Sequence, residues 1–74
     1  MATPQDAHTE VPHPLLMQPV RDNASGTEGT LMAVLVENTA AAGRPERWAE
    51  IAYVRPAGGG RELSTAVSNI EAAR

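Results

Sequence analysis

The sequence lacks cysteine and phenylalanine, and it has one tryptophan and one tyrosine among its 74 residues. Without cysteine the chain has no disulfide, no thiolate ligand for a metal and no thiol nucleophile. It also lacks long hydrophobic runs: the longest, residues 31–36, is far shorter than the roughly 20 residues that span a membrane as a helix. The first residues do not combine a basic region with an apolar stretch, which is the pattern of a secretory signal. We therefore expect an intracellular, cytoplasmic protein.

Lysine is absent as well, so all six basic residues are arginine, against nine acidic residues. The resulting net charge of -3 argues against a general nucleic-acid binder, because such domains are usually basic enough to neutralise phosphate. The length allows a single domain, which buries only about 60% of the surface of its unfolded chain. The preference for arginine, alanine, glycine, proline and valine, whose codons are GC-rich, indicates a high-GC bacterium as the source.

The first 13 residues are polar, hold two prolines and show no apolar period. We expect a flexible, disordered or extended N-terminal tail over residues 1–13 and one folded domain over residues 14–74. His8, Glu10 and His13 carry side chains that zinc or nickel accepts as ligands. A flexible segment has no preformed ligand geometry, so we interpret them as chance residues of a polar tail and expect no metal and no cofactor.

Short apolar runs with β-branched residues alternate with turn residues along the remainder of the chain, which is typical of an all-β domain. The sequence around Gly26 is a strong turn signal, and Gly58, Gly59 and Gly60 are suited to a hairpin loop. Closure of a small sheet removes its exposed edges, and we expect a small five-stranded barrel. The predicted strands cover residues 15–21, 29–37, 48–55, 61–66 and 70–72.

The segment after the glycine hairpin permits two interpretations. Leu63, Val67 and Ile70 lie at helix spacing, but the serines and threonine around them are poor helix formers. We favour a return strand, a turn over residues 67–69 and a final short strand. The alternative fold is a three-stranded sheet with a C-terminal helix.

Three stretches carry a resemblance to a known group of proteins. They are residues 26–34, residues 53–63 with the run Arg-Pro-Ala-Gly-Gly-Gly-Arg-Glu, and residues 70–72. They resemble the valine- and glycine-rich strand, the hairpin and the short end of small uncharacterised actinobacterial proteins, which look like SH3-like barrels of the KOW or Tudor kind. The resemblance covers residues 16–72, and it implies an SH3-like barrel without an established activity.

The sequence departs from the pattern of that group at two places. Leu63 stands where the pattern has tryptophan, and residues 38–47 form a longer connection. The missing aromatic residue weakens the case for an aromatic binding face.

The predicted third strand and the hairpin after it hold the candidate binding residues. Strand alternation puts Tyr53 and Arg55 on one face if Ala52 and Val54 face the core. Tyrosine and arginine are enriched in binding hot spots. The alternative is that Tyr53 fills a core that has no phenylalanine and that Trp48 covers the end of the barrel. The candidate binding residues are Trp48, Tyr53, Arg55 and Arg61.

The sequence contains no recognisable catalytic set, because cysteine is absent and both histidines lie in the predicted tail. We therefore expect no enzyme activity. The favoured function is a small non-catalytic protein-interaction module, with another protein as its partner and no membrane association. The alternative is nucleic-acid binding by the same barrel, through arginines around the hairpin and in the preceding loop. These arginines are Arg44, Arg47, Arg55 and Arg61.

Overall fold

The computed structural model describes residues 8–73, and antiparallel strands make up about half of them. The strands pair in the order β5-β4-β3-β2-β6, and β1 pairs with the C-terminal half of β3. The described residues include no α-helix, and so none that is long and apolar enough to cross a bilayer. The elements are β1 (His8–Glu10), β2 (Pro19–Asp22), β3 (Glu28–Asn38), β4 (Trp48–Pro56), β5 (Leu63–Ala66), a 3-10 helix (Val67–Asn69) and β6 (Ile70–Ala72).

The long central strand β3 contains a β-bulge that decides which of its side chains face the core. Leu31 pairs with Val54 and Ala33 pairs with Tyr53, so one extra residue lies between the two positions on β3. Two residues three apart normally point to opposite faces of a sheet. Because of the bulge, both Leu31 and Val34 are fully buried on the same side.

The hydrophobic core is small and aliphatic, and no aromatic ring takes part in it. Ala52 and Val54 are both fully buried, which confirms the alternation predicted for β4. The fully buried apolar residues are Val20, Leu31, Val34, Ala52 and Val54. Partly buried side chains packed around them are Val11, Leu15, Leu16, Leu63, Val67 and Ile70.

The four C-terminal strands lie within two residues of their predicted bounds. Residues 67–69 form a 3-10 helix between β5 and β6, so the interpretation as strand, turn and strand is confirmed and the alternative with a C-terminal helix is wrong. Proline, glycine and asparagine define these boundaries locally, which explains the agreement.

The prediction of a strand over residues 15–21 is wrong at its start, because β2 begins only at Pro19. The preceding residues form turns, in which the N–H of Leu16 donates to the carbonyl of His13 and that of Gln18 to the carbonyl of Leu15. Met17 has a φ of 65°, a left-handed conformation that a regular strand excludes.

The flexible tail predicted over residues 1–13 needs a second correction, because its last part joins the sheet. β1 pairs with β3, and the N–H of Val11 then donates to the carbonyl of Val34 at 2.9 Å. The edge of β3 beyond β2 carries backbone groups that need partners, and β1 satisfies them despite its polar composition. The expectation for residues 1–7 lies outside the described residues.

Asp22 is a buried carboxylate, 1% exposed, that links distant parts of the sheet. It accepts hydrogen bonds from the hydroxyl and N–H of Ser25, from the N–H of Ala24 and from the hydroxyl of Thr65. The Nδ2 of Asn69 donates in turn to Thr65 at 2.9 Å. The bond from Ser25 outweighs the opposing effect of burial and, with the others, holds the pKa of Asp22 below its usual value.

The bond between Asp22 and Thr65 also shows how strongly the sheet is curled. Asp22 belongs to β2 and Thr65 to β5, and two strands separate them in the sheet order. Their side chains nevertheless meet at 2.9 Å. The six strands therefore form one curled antiparallel sheet, in which no ladder joins β5 to β6 among the residues described.

Candidate functional site

The side of β3 and β4 that points away from the core is apolar as well. Cross-strand pairs put Ala33 beside Tyr53 and Leu35 beside Ile51, and all four residues are half-buried and outside the core cluster. An antiparallel sheet with one free side usually alternates apolar and polar residues. Here both sides are apolar over the centre of the pair. We use the name outer face for Ala33, Leu35, Ile51 and Tyr53, and the name border for the charged residues around them.

Tyr53 is fixed to the outer face by its hydroxyl, which donates to Oε2 of Glu37. Since Glu37 lies four residues beyond the position opposite Tyr53, the phenol ring extends along the strand across the row of Leu35. The hydrogen bond to Glu37, the burial of the ring, and the charges of Glu37 and Glu62 together raise the pKa of Tyr53 to about 12. Tyr53 is thus a protonated donor at neutral pH.

Carboxylates dominate the border of the outer face. Glu10 of β1 lies opposite Leu35, and Glu62 is near enough to Tyr53 to influence its pKa. Arg55 follows two residues after Tyr53 on the same face, and it forms no ion pair with a carboxylate of the described chain. Among the described residues the border therefore has the carboxylates of Glu10, Glu37 and Glu62 and the guanidinium of Arg55. Arg61 is exposed in the hairpin loop next to Glu62.

The structure brings together only two of the four predicted binding residues. Tyr53 and Arg55 share the outer side of β4, as the alternation predicts. Arg61 is exposed in the hairpin loop that follows. Trp48 lies at the other end of β4, about 23 Å from Arg55 along the strand and with the opposite alternation. It is 49% exposed, and its indole N–H donates to Glu46 at 3.2 Å.

The arginines of the nucleic-acid interpretation fall into two separate pairs. Arg55 and Arg61 belong to the β4–β5 hairpin, whereas Arg44 and Arg47 belong to the β3–β4 loop at the far end of β4. That loop encloses an open groove of about 550 Å³ and is tied together by Oδ1 of Asn38, which accepts the N–H of Arg47 at 3.0 Å. These four arginines do not form the continuous basic stripe that usually marks a nucleic-acid site.

Of the outer face, sequence reasoning selects only Tyr53 and misses Ala33, Leu35 and Ile51. The run over residues 31–36 is apolar at every position, which is typical of a strand covered on both sides. Ile51 also shares the alternation of Tyr53. These two signals together point to a second apolar surface.

His13 takes part in a turn, where its Nδ1 accepts the N–H of Leu15 at 3.1 Å. The structure gives no description of the His8 side chain, the second imidazole of the triplet considered above. Within residues 8–73 no group of three or more histidine, cysteine or acidic side chains is arranged to hold a metal ion.

The fold and the outer face together define a small all-β domain with a second apolar surface. Comparisons of the chain with protein-family models, with curated proteins and with solved structures give no match. We therefore infer the function from the geometry of this chain.

Proposed function

We propose that the chain is a small non-catalytic protein-interaction module, built on an SH3-like β-barrel, that binds another protein through the outer face. The observation that carries this proposal is the pair Leu35 and Ile51, apolar and only partly buried on the side of the sheet away from the core. Removing apolar surface from water favours association by about 25 cal/mol per Å². Covering this pair with a partner would therefore supply free energy that folding of the monomer leaves unused.

Two features support the barrel. The strands β2 to β5 form a meander, and the short β6 returns to pair with β2. This order brings the last strand back to the first strand of the meander, as closure of a small barrel requires. The side-chain bond from Thr65 to Asp22 links β5 with β2 on the other side of the curled sheet. In this proposal β1 is an addition to the edge of β3 rather than one of the five barrel strands.

A protein fits the outer face better than a nucleic acid does, because the carboxylates on its border repel phosphate. Nucleic-acid binding is the second candidate. The observation that favours it is the half-exposed Trp48 beside Arg47, since an exposed indole next to a guanidinium can stack on an unpaired base.

Affinity capture with two matched variants tests the proposal. Ile51→Thr keeps the β-branch that suits a strand and replaces the ethyl group of the isoleucine with a hydroxyl. Met17→Asn removes a 61% exposed apolar side chain elsewhere, at a positive φ that asparagine accepts. We expect the wild type and Met17→Asn to retain the same proteins from a lysate of the source organism after nuclease treatment, and Ile51→Thr to lose them.

Two results would contradict the proposal. Retention of the same proteins by folded Ile51→Thr would exclude the outer face as the binding surface. Capture that disappears with nuclease, and that Trp48→Ala abolishes, would favour the nucleic-acid candidate.

A further inference from the structure

The charges around the outer face indicate the chemistry of its partner. We propose that the outer face binds a basic, aliphatic segment of another protein, whose lysine or arginine side chains pair with the carboxylates on the border. This inference rests on the proposed function and adds the partner class to it.

The arrangement of the border suits long basic side chains. Leu35 and Ile51 form the apolar centre, Glu10 lies in the same row on β1, and Glu62 lies near Tyr53 toward the other edge. The methylene stems of lysine and arginine pack on apolar surface while their charged ends reach outward. A basic side chain that crosses the centre can therefore contact the apolar pair and a carboxylate together.

The carboxylate of Glu37 is already oriented for such a contact. Its Oε2 accepts the hydroxyl of Tyr53, which orients the carboxylate. An ionised carboxylate has about four acceptor positions, so one bond from Tyr53 leaves capacity for an ammonium or guanidinium group. The pair thus fixes the geometry of an acceptor before the partner arrives.

A second copy of this chain fits the same surface poorly. A two-fold contact brings identical patches together, so the carboxylates of one face would meet those of the other. On the described strands Arg55 and Arg21 point away from the core, and Arg21 already pairs with Glu28 at 3.7 Å. Like charges at an interface oppose association, and an anionic partner would meet the same repulsion.

The test is an NMR titration of the full-length ¹⁵N-labelled chain with three capped peptides of one design. Each peptide has a leucine centre flanked by lysines, by glutamates or by serines. We expect the lysine peptide to bind most tightly, to shift the amide signals of Leu35, Ile51 and Tyr53, and to lose affinity as salt is added. Two exposed ion pairs correspond to a preference of about fivefold over the serine peptide.

Charge reversal provides the matched variants. Glu10→Lys combined with Glu62→Lys leaves the Tyr53–Glu37 bond in place, and we expect it to reverse the preference toward the glutamate peptide. Glu50→Lys combined with Glu71→Lys changes the net charge equally at exposed positions outside the outer face. This control is expected to keep the lysine preference.

The outcomes separate this inference from the proposed function. Equal binding of the three peptides at the outer face would overturn the basic partner and leave the interaction module standing. Shifts confined to the Trp48 end of β4 would overturn both. Outer-face signals that move with protein concentration, before any peptide is added, would identify a second copy as the occupant and overturn the inference.

Discussion

Asp22 joins the turn after β2 to a strand far along the chain, and its effect on stability depends on its ionisation. Its folded-state pKa is lowered, so the stability it contributes is present above the unfolded pKa of about 3.9 and is lost as pH falls through the folded pKa. We therefore expect the chain to lose stability on acidification below about pH 4, where the unfolded chain takes up a proton on Asp22 more readily than the folded chain does.

Asp22→Asn tests this dependence. The amide presents donors where Ser25 and Thr65 also donate, so we expect a loss of about 1–3 kcal/mol near pH 7. Urea unfolding followed by far-UV circular dichroism should show the difference from wild type shrinking as pH falls through the folded pKa of Asp22. Glu71→Gln, an exposed carboxylate, is the control and should change stability by less than about 0.5 kcal/mol. A constant difference across this pH range would contradict the prediction.

Tyr53 has the opposite pH dependence. Its pKa is raised to about 12, so the stability from its hydrogen bond is fully present below the unfolded pKa of about 10 and is lost as pH rises through about 12. Because Tyr53 is the single tyrosine, ultraviolet absorbance reports its ionisation directly. We expect a midpoint about two units above that of the chain unfolded in guanidinium chloride. Tyr53→Phe should cost about 0.5–1.5 kcal/mol at neutral pH, and a folded-state midpoint near 10 would contradict the role assigned to Glu37.

Sequence reasoning at the residue scale recovers turns better than long-range bonds. The turn chemistry that begins at Asp22 is evident from the asparagine, serine and glycine that follow. The burial of Asp22 is not evident from the sequence, because its partner Thr65 lies 43 residues away and only the curled sheet brings the two residues together. The bond from Tyr53 to Glu37 is hidden for the same reason, since it depends on the register of β3 against β4.

Among the elements, the start of β3 approaches β4 so closely that one position excludes any side chain. A Cβ added to Gly29 would lie 2.1 Å from the carbonyl oxygen of Arg55, a backbone atom that cannot move aside cheaply. We expect Gly29→Ala to destabilise the chain by about 3 kcal/mol or to prevent folding.

Gly58→Ala is the matched control for this prediction. A Cβ at Gly58 meets no atom within 4 Å, and its φ is not positive. Its urea midpoint should remain close to that of the wild type. Equal stability of Gly29→Ala and Gly58→Ala would show that β3 does not approach β4 closely at Gly29.

Most elements are predictable from sequence because their ends are marked locally, whereas β1 is not. Glycine and proline delimit β4, and the apolar run identifies β3. β1 has the composition of a tail, and its structure comes from the unpaired edge of β3. A strand that depends on a partner in this way has no periodic signal of its own.

For the whole molecule, the all-β class and half of the candidate site follow from alternation. Alternation predicts that Tyr53 and Arg55 share a face, and it identifies the buried partners on the other side. It does not give distance, and the length of β4 separates Trp48 from the hairpin that holds Arg61. The outer face depends on the register that places Leu35 opposite Ile51, and alternation alone does not give that register.

The position of the single tryptophan has a spectroscopic consequence. Trp48 is half-exposed at the edge of the β3–β4 loop, and the core contains no aromatic ring. Its fluorescence therefore reports the solvent and the loop around the indole rather than the packing of the core. A soluble quencher should reach it in the folded chain, and emission should change little when the aliphatic core unfolds. The same ring is a sensitive optical probe for any ligand that binds at the β3–β4 loop, which lies outside the outer face.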